Sequence, residues 1–381
     1  MPQRIYLDNA ATSWPKPEPV YQAVDQYQRQ VGAAAGRGVY GSAGDAQRIV
    51  SRCRRLVAGQ LGVADPTRVV FTGGCTEALN LAIFGLILPG DHVVTTDAEH
   101  NAVLRPLAAL RRDADVEVEY APVDTFGRVD PAAIATLIRP NTRLVAVTAA
   151  SNVTGAVNDV PAIGAACREA GAALLVDAAQ SLGHAPVDVA AAGVGLLAAP
   201  GHKGLLGPLG VGMLYIAPEL GNSLKPLHLG GTGSMSESEQ VPDELPGRYE
   251  AGNLNVPAIA GLAAAMEAAA EADFANGAHA AAERLRSRLA ELPAVTLHTP
   301  PSDAAPVVSL SVEGYDPHDV AGVLASAGIE CRSGLHCAAR IHGSLGPAAG
   351  GGTLRLSPGY STTADEVDAA VETLAQLAAF C

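Results

Sequence analysis

Leu174-Leu175-Val176-Asp177-Ala178-Ala179-Gln180, with Gly201-His202-Lys203-Gly204 a short way beyond it, decides how this chain is read. An apolar run that stops abruptly at an acid predicts a buried strand delivering Asp177 to the carboxyl edge of a sheet, where open α/β folds hold their ligands. Val69–Thr72, His92–Thr96, Val116–Tyr120, Leu144–Thr148, Leu196–Ala199 and Gly212–Ile216 are further short apolar runs. Helical stretches at Glu77–Leu86, Val103–Arg112, Pro131–Ile138 and Ala162–Ala170 separate the earlier ones. Apolar strands alternating with helices predict an α/β fold whose seven-stranded sheet is mostly parallel and covered on both faces.

Beyond this sheet the pattern changes. Glu219–Asn255 is a long Gly-, Ser- and Pro-rich stretch without a sustained period, the kind of loop that serves a site or a subunit contact. A helix begins near Pro257, with Ile259, Leu262, Ala263 and Met266 on one face. Val307–Val312, Ile329–Arg332 and Thr353–Leu356 then read as strands, and Asp316–Ala327 and Thr363–Phe380 as helices, of a smaller α+β domain. The expected division is an N-terminal arm over 1–20 packing at the site, a large domain over 21–255, and a linking helix with the small domain over 256–381.

Composition narrows the function. The 381 residues are 48% apolar and 17% charged, ample for a large core, and the net charge of -14 argues against a nucleic-acid surface or an anionic membrane. No run reaches the roughly 18 apolar residues needed to span a bilayer, and the N-terminus lacks the apolar core of a secretory signal. Six cysteines show neither metal-ligand pairs nor disulfide-scaffold density, so a reducing, cytoplasmic setting is expected. The ten histidines contain no metal spacing, and no metal is expected. Gly36-Arg37-Gly38-Val39-Tyr40-Gly41 matches GxGxxG but follows no strand, so it lacks the dinucleotide context.

Lysines are scarce: three among 25 basic residues. Lys16 is hemmed by Pro15 and Pro17, and Lys225 precedes Pro226 in the irregular stretch. Only Lys203 lies between two expected strands. An electrophilic cofactor held through a lysine amine also needs an acid for its ring nitrogen and a cradle for its phosphate. Asp177 is the candidate acid. The turn Gly73-Gly74-Cys75-Thr76-Glu77, between a strand and a helix, is the candidate cradle, because a helix N-terminus offers free N–H groups. Each signal also has a plainer reading: an ordinary turn, a capping or buried aspartate, and, for His100, a helix cap. Their combined order, completed by Asn152 and Gln180, is far more specific.

At this point the chain resembles the fold-type I pyridoxal-phosphate enzymes, within them the class V aminotransferase and cysteine desulfurase family. The resemblance runs from Tyr6-Leu7-Asp8-Asn9-Ala10-Ala11-Thr12 through Thr76-Glu77-Ala78-Leu79-Asn80, Glu99-His100-Asn101 and the two runs quoted first, to Tyr249-Glu250-Ala251-Gly252-Asn253. It implies that Lys203 carries pyridoxal 5'-phosphate, Asp177 holds its pyridine nitrogen, and His100 stacks on its ring. Gln180 and Asn152 would face the ring oxygen or the substrate. Cys75, Thr76 and His202 would hold the phosphate, and Asn253 would reach the phosphate of the other subunit in a homodimer.

Arg332-Ser333-Gly334-Leu335-His336-Cys337-Ala338 chooses the reaction. A working thiol should be exposed, mobile and near positive charge. Cys337 has Arg332 and His336 beside it in sequence and leads into a Gly- and Ala-rich stretch, Gly343 to Gly352. The motif resembles the short-loop, group II cysteine desulfurases and the related selenocysteine lyases. The resemblance implies that Cys337 takes sulfur from L-cysteine as a persulfide, for delivery to an acceptor protein or thiol. Arg355 would clamp the substrate carboxylate, with Ala11, Asn152 and Arg332 on the substrate side. Pro200, Asn253 and Ala339 depart from the family's usual residues without removing a required group. The alternatives are a selenocysteine lyase acting on L-selenocysteine, another C–S lyase, or a cofactor-binding or sulfur-carrier protein without turnover.

Overall fold

The computed structural model describes residues 4–36, 38–233, 237–346, 349 and 351–379. Cys381, the Phe380 end expected for the last helix, Arg37 of the GxGxxG match, and positions 347, 348 and 350 of the Gly-rich stretch lie outside them.

The chain starts with β1 (Ile5–Tyr6), α1 (Glu18–Gln26) and α2 (Gly41–Gln60). A βα alternation follows: β2 (Val69–Thr72), α3 (Cys75–Leu86), β3 (His92–Thr96), α4 (Asn101–Asp113), β4 (Glu117–Ala121), α5 (Pro131–Leu137), β5 (Thr142–Thr148), α6 (Val160–Ala170), β6 (Ala173–Asp177), β7 (Leu196–Pro200) and β8 (Gly212–Ile216). These strands form a seven-stranded sheet ordered β2-β8-β7-β6-β5-β3-β4. All neighbours are parallel except β8, which runs antiparallel between β2 and β7. The seven expected strands are all present, with ends within two residues of the expected ones.

Alternation of side chains makes this sheet the wall between two cores. Phe71, Val94, Val145, Val147, Val176 and Leu197 pack on one face with α2, α5 and α6. Val70, Val93, Leu144, Ala146, Leu175 and Ala198 pack on the other with α3 and α4. β7 and β8 are buried along their whole length, which is why they read as continuous apolar runs. Local chemistry fixes the helix ends: Asp159 caps α6 by accepting from the Ala162 N–H, and Gly171, at φ 73°, ends it.

α7 (Val256–Glu271) opens at Asn255, whose side chain accepts from the Ala258 N–H, and its Ile259, Leu262, Ala263 and Met266 face joins the first of these cores. After α8 (Phe274–Leu289) come β9 (Val295–Leu297), β10 (Val308–Val312), α9 (Pro317–Ser326), β11 (Ile329–Glu330), β12 (Arg332–Gly334), β13 (Thr353–Leu356) and α10 (Ala364–Ala378). An antiparallel sheet ordered β12-β13-β10-β9 packs with α8, α9 and α10 around a third core. The single strand expected over Ile329–Arg332 is two strands. β11 pairs in parallel with β1, and beyond Cys331 the chain joins the other sheet as β12, opposite β13. The N-terminal segment is thereby strapped to the C-terminal region, with Leu7 inside the third core. Among the described residues no helix is long and apolar enough to cross a membrane.

Candidate active site

Strand ends and helix starts of the large sheet converge on a cavity of about 690 Å³. Cys75, Thr76, His100, Asn152, Asp177, Gln180, His202 and Lys203 all line it. Asp177 ends β6 as expected; its Oδ1 accepts from the Ala179 N–H at 2.9 Å and from the Cys75 thiol at 3.7 Å, leaving Oδ2 for the cavity. Gln180 donates to the Ala10 carbonyl at 3.0 Å, so the N-terminal segment closes one wall. His100 is both a cap and a lining residue. Its Nδ1 accepts from the Ala102 N–H at 3.0 Å, so the neutral ring carries its proton on Nε2.

Burial dominates the electrostatics. Desolvation pushes the Lys203 amine below its ordinary value, against the opposing pull of Asp177. An amine partly freed of its proton is the nucleophilic form. Burial likewise lowers His100 and brings His202 to about 4, with Lys203 and Lys16 helping at the latter. Cys75 is pushed well above the thiol range by burial and by the charge of Asp177, so it remains a thiol. Lys225 is exposed. Lys16 is tied to the peptide before Lys203: its Nζ donates to the His202 carbonyl at 2.9 Å and to Ser13 Oγ at 2.7 Å.

The expected carboxylate clamp sits beside the cavity. Arg355 is 2% exposed. It donates to the Asn152 carbonyl at 2.9 Å and to Asp8 Oδ1 at 2.8 Å, and its Nε has no partner. Arg332 lies directly across from it in the β12–β13 ladder. Among the described residues Asp8 pairs with Arg355 alone, and facing like charges such as Arg355 and Arg332 are unfavourable unless an anion joins them. Cys337 is exposed. His336 and Cys337 both have left-handed backbones, at φ 49° and 59°. The His336 carbonyl accepts from Asn152 Nδ2 at 2.7 Å, and the Cys337 carbonyl from the Asn101 N–H at 2.7 Å. One expectation fails. His336 is buried, bonds Thr353 through Nε2, and is held at about 3 by desolvation, so it stays neutral and offers no positive charge to the thiol. Ala11 is half-buried, and Asn253 is exposed and outside the cavity.

The class V aminotransferase family model matches residues 5–370. The chain belongs to that family. It is 38% identical, over 98% of its length and 94% of the relative's, to a protein of Methanothermobacter thermautotrophicus named a probable cysteine desulfurase. A cysteine desulfurase of Yersinia pestis is 34% identical over 88% of this chain and 84% of its own. Among solved structures, the apo cysteine desulfurase of Thermococcus onnurineus superposes with a TM-score of 0.91 at 34% identity, covering 99% of this chain and 95% of that one. The cysteine desulfurase CsdA of Escherichia coli does so at 0.88 and 29%, with the same coverage.

Enzymes of this class V family depend on pyridoxal phosphate, and the cavity fits that group. The first turn of α3 has no side-chain cap, so its N–H groups stand free at the cavity edge. His202 Nδ1 is buried without a partner, an orphan donor or acceptor beside them. The volume lies within the few hundred to a thousand Å³ usual for cofactor sites. The sequence reading passed over His228, which lines the cavity from the aperiodic loop and pairs with Glu77 at 3.2 Å. It also passed over Asp8 as the partner of Arg355, and Asn101 as the partner of the Cys337 carbonyl. Asp8 and Asn101 stood inside quoted motifs; no local signal marked His228.

Proposed function

We propose that this chain is a pyridoxal-phosphate-dependent cysteine desulfurase acting as a homodimer. It converts L-cysteine to L-alanine and leaves sulfur as a persulfide on Cys337. The observation that carries this reading is one cavity holding half-buried Lys203 and buried Asp177, with an exposed Cys337 tied to its rim through Asn152 and Asn101.

Lys203 would hold the cofactor, Asp177 Oδ2 its ring nitrogen, and the α3 N-terminus, Thr76 and His202 its phosphate. Once bound, pyridoxal phosphate supplies an electron sink for the substrate's Cα. Arg355, aimed by Asp8, and Arg332 would take the substrate carboxylate and fix the amino acid's orientation. Lys203, with its proton affinity reduced by burial, would accept the Cα proton and return it later. His100, as an Nε2–H donor, would hold a hydrogen bond at the reacting amine. Cys337 sulfur would attack the substrate sulfur. The S–S bond forms, the Cβ–S bond breaks with its electron pair going to carbon, and the proton given up by Cys337 balances the methyl group of alanine.

Leu227 and Leu229, in the same loop as the exposed Asn253, support a subunit contact, since exposed large apolar side chains suit an interface. The five described cysteines are free thiols, in keeping with a reducing cytoplasm. We retain the three-part division at 20 and 255 as a proposal. An acceptor protein or small thiol would remove the persulfide sulfur. Incubation of the loaded enzyme with L-cysteine, with alanine and sulfide measured together, tests the reading. Cys337→Ser should keep the bound cofactor and its spectral response yet lose the protein-bound persulfide. Alanine release by that variant at the wild-type rate refutes the desulfurase reading. L-Selenocysteine run in competition separates the lyase alternative.

A further inference from the structure

Asn152 is engaged on three sides. Its side chain lines the cavity, its carbonyl accepts from Arg355 at 2.9 Å, and its Nδ2 donates to the His336 carbonyl at 2.7 Å. That last bond falls on an unusual piece of backbone. His336 and Cys337 are consecutive non-glycine residues in the left-handed region, a conformation that persists only where its surroundings impose it. Three contacts impose it here. Asn152 holds the His336 carbonyl, the Asn101 N–H holds the Cys337 carbonyl at 2.7 Å, and the buried His336 ring is bonded to Thr353. Of these holders Asn152 lines the cavity, and Asn101 follows His100, which lines it too. The exposed thiol is therefore held in a strained position partly by a group, the Asn152 amide, that a ligand in the cavity would meet.

We propose that Asn152 is a latch through which filling of the cavity frees the Cys337 loop. An acceptor oxygen presented from the cavity competes with the His336 carbonyl for the Asn152 amide. A carboxylate on Arg355, whose Nε is unpartnered, competes with the Asn152 carbonyl for the same guanidinium. Either event loosens the hold on His336, and the left-handed strain drives the loop away from its resting position. The latch rests on the reading of Cys337 as sulfur acceptor, since it explains how a thiol kept at the rim becomes mobile once substrate is bound. Asn152 is on this view a positioning residue for Cys337 as well as a cavity group.

Hydrogen exchange read by mass spectrometry on the peptide spanning 335–341 tests this without relying on turnover. The Ala338 N–H, bonded to the Leu335 carbonyl at 2.9 Å, reports the loop directly. Unloaded protein should exchange slowly there. Loading with pyridoxal phosphate and adding L-alanine, whose carboxylate engages Arg355, should speed exchange about fivefold, the worth of one net hydrogen bond. Asn152→Ala should exchange at the faster rate without any ligand and respond to none. His336→Gly, which removes the strain, should shrink the ligand response while keeping the loop bonded to Asn152. Slower exchange on loading, or an Asn152→Ala loop as protected as wild type, overturns the latch. The desulfurase reading fails separately, by the alanine assay on Cys337→Ser.

Discussion

Replacing Glu99 by glutamine should stabilise the protein increasingly as pH rises. Glu99 is fully buried. Its Oε1 accepts from Thr96 Oγ1 at 2.6 Å and the Thr148 N–H at 3.0 Å, while Oε2 has no partner. Burial pushes its pKa from 4.5 up to about 8; the bonds from Thr96 and Thr148 oppose this, and the charge of Asp177 adds to it. Below about pH 4.5 the folded and unfolded chains both hold the proton and nothing is at stake. Between 4.5 and 8 only the folded chain holds it, so stability falls as pH rises, by about 1.4 kcal/mol per unit, and levels off above 8. The whole window sets a ceiling of about 5 kcal/mol, of which relaxation around the site leaves roughly half. Glutamine keeps the accepting oxygen and has no proton to lose. At about 2 °C per kcal/mol, its melting temperature should match wild type near pH 5 and exceed it by about 5 °C near pH 8.5. Calorimetric scans of both proteins across that range decide the matter. A difference that stays flat, or that turns against glutamine at high pH, refutes a protonated Glu99.

Borohydride reduction of the loaded enzyme followed by peptide mapping should mark Lys203. Lys16 is the informative competitor, since burial brings its amine to about 8, and a label there would overturn the assignment. Asp177→Asn should keep measurable cofactor binding while turnover falls at least tenfold; near-normal alanine formation would remove its role. Arg54→Met should cost about 3–5 kcal/mol in chemical denaturation, because it strands buried Glu250, to which Arg54 is bonded at 2.7 and 2.8 Å. Removing both partners together should cost less, and an additive double variant would argue against the pairing.

What could be read from the sequence follows the range of the interactions involved. Most of the seven sheet strands were legible because they are buried on both faces, and a run such as Leu174-Leu175-Val176 needs no partner to declare itself; edge strand β4, whose Glu117 is exposed, is the exception. Asp177, Lys203, His202 and the α3 turn were legible because strand ends and helix starts deliver them by local geometry. α2 was not, although it runs for 20 residues: Gly41 and Gly44 weaken its first turn, and Tyr40 provides no side-chain cap. The split at Cys331 was hidden because both halves are short and only their partners, Ile5–Tyr6 and Thr353–Leu356, tell them apart. His336 misled for a related reason. Adjacency in sequence suggested a cation beside the thiol, whereas a left-handed backbone at both residues accompanies a ring bonded to Thr353. The contacts that give Cys337 its place, Asn152 to the His336 carbonyl and Asn101 to the Cys337 carbonyl, join residues 184 and 236 positions apart. Motifs announce which groups take part in the chemistry. The arrangement of the thiol against the cavity is a property of the closed chain, set by a strap between its first strand and its C-terminal sheets.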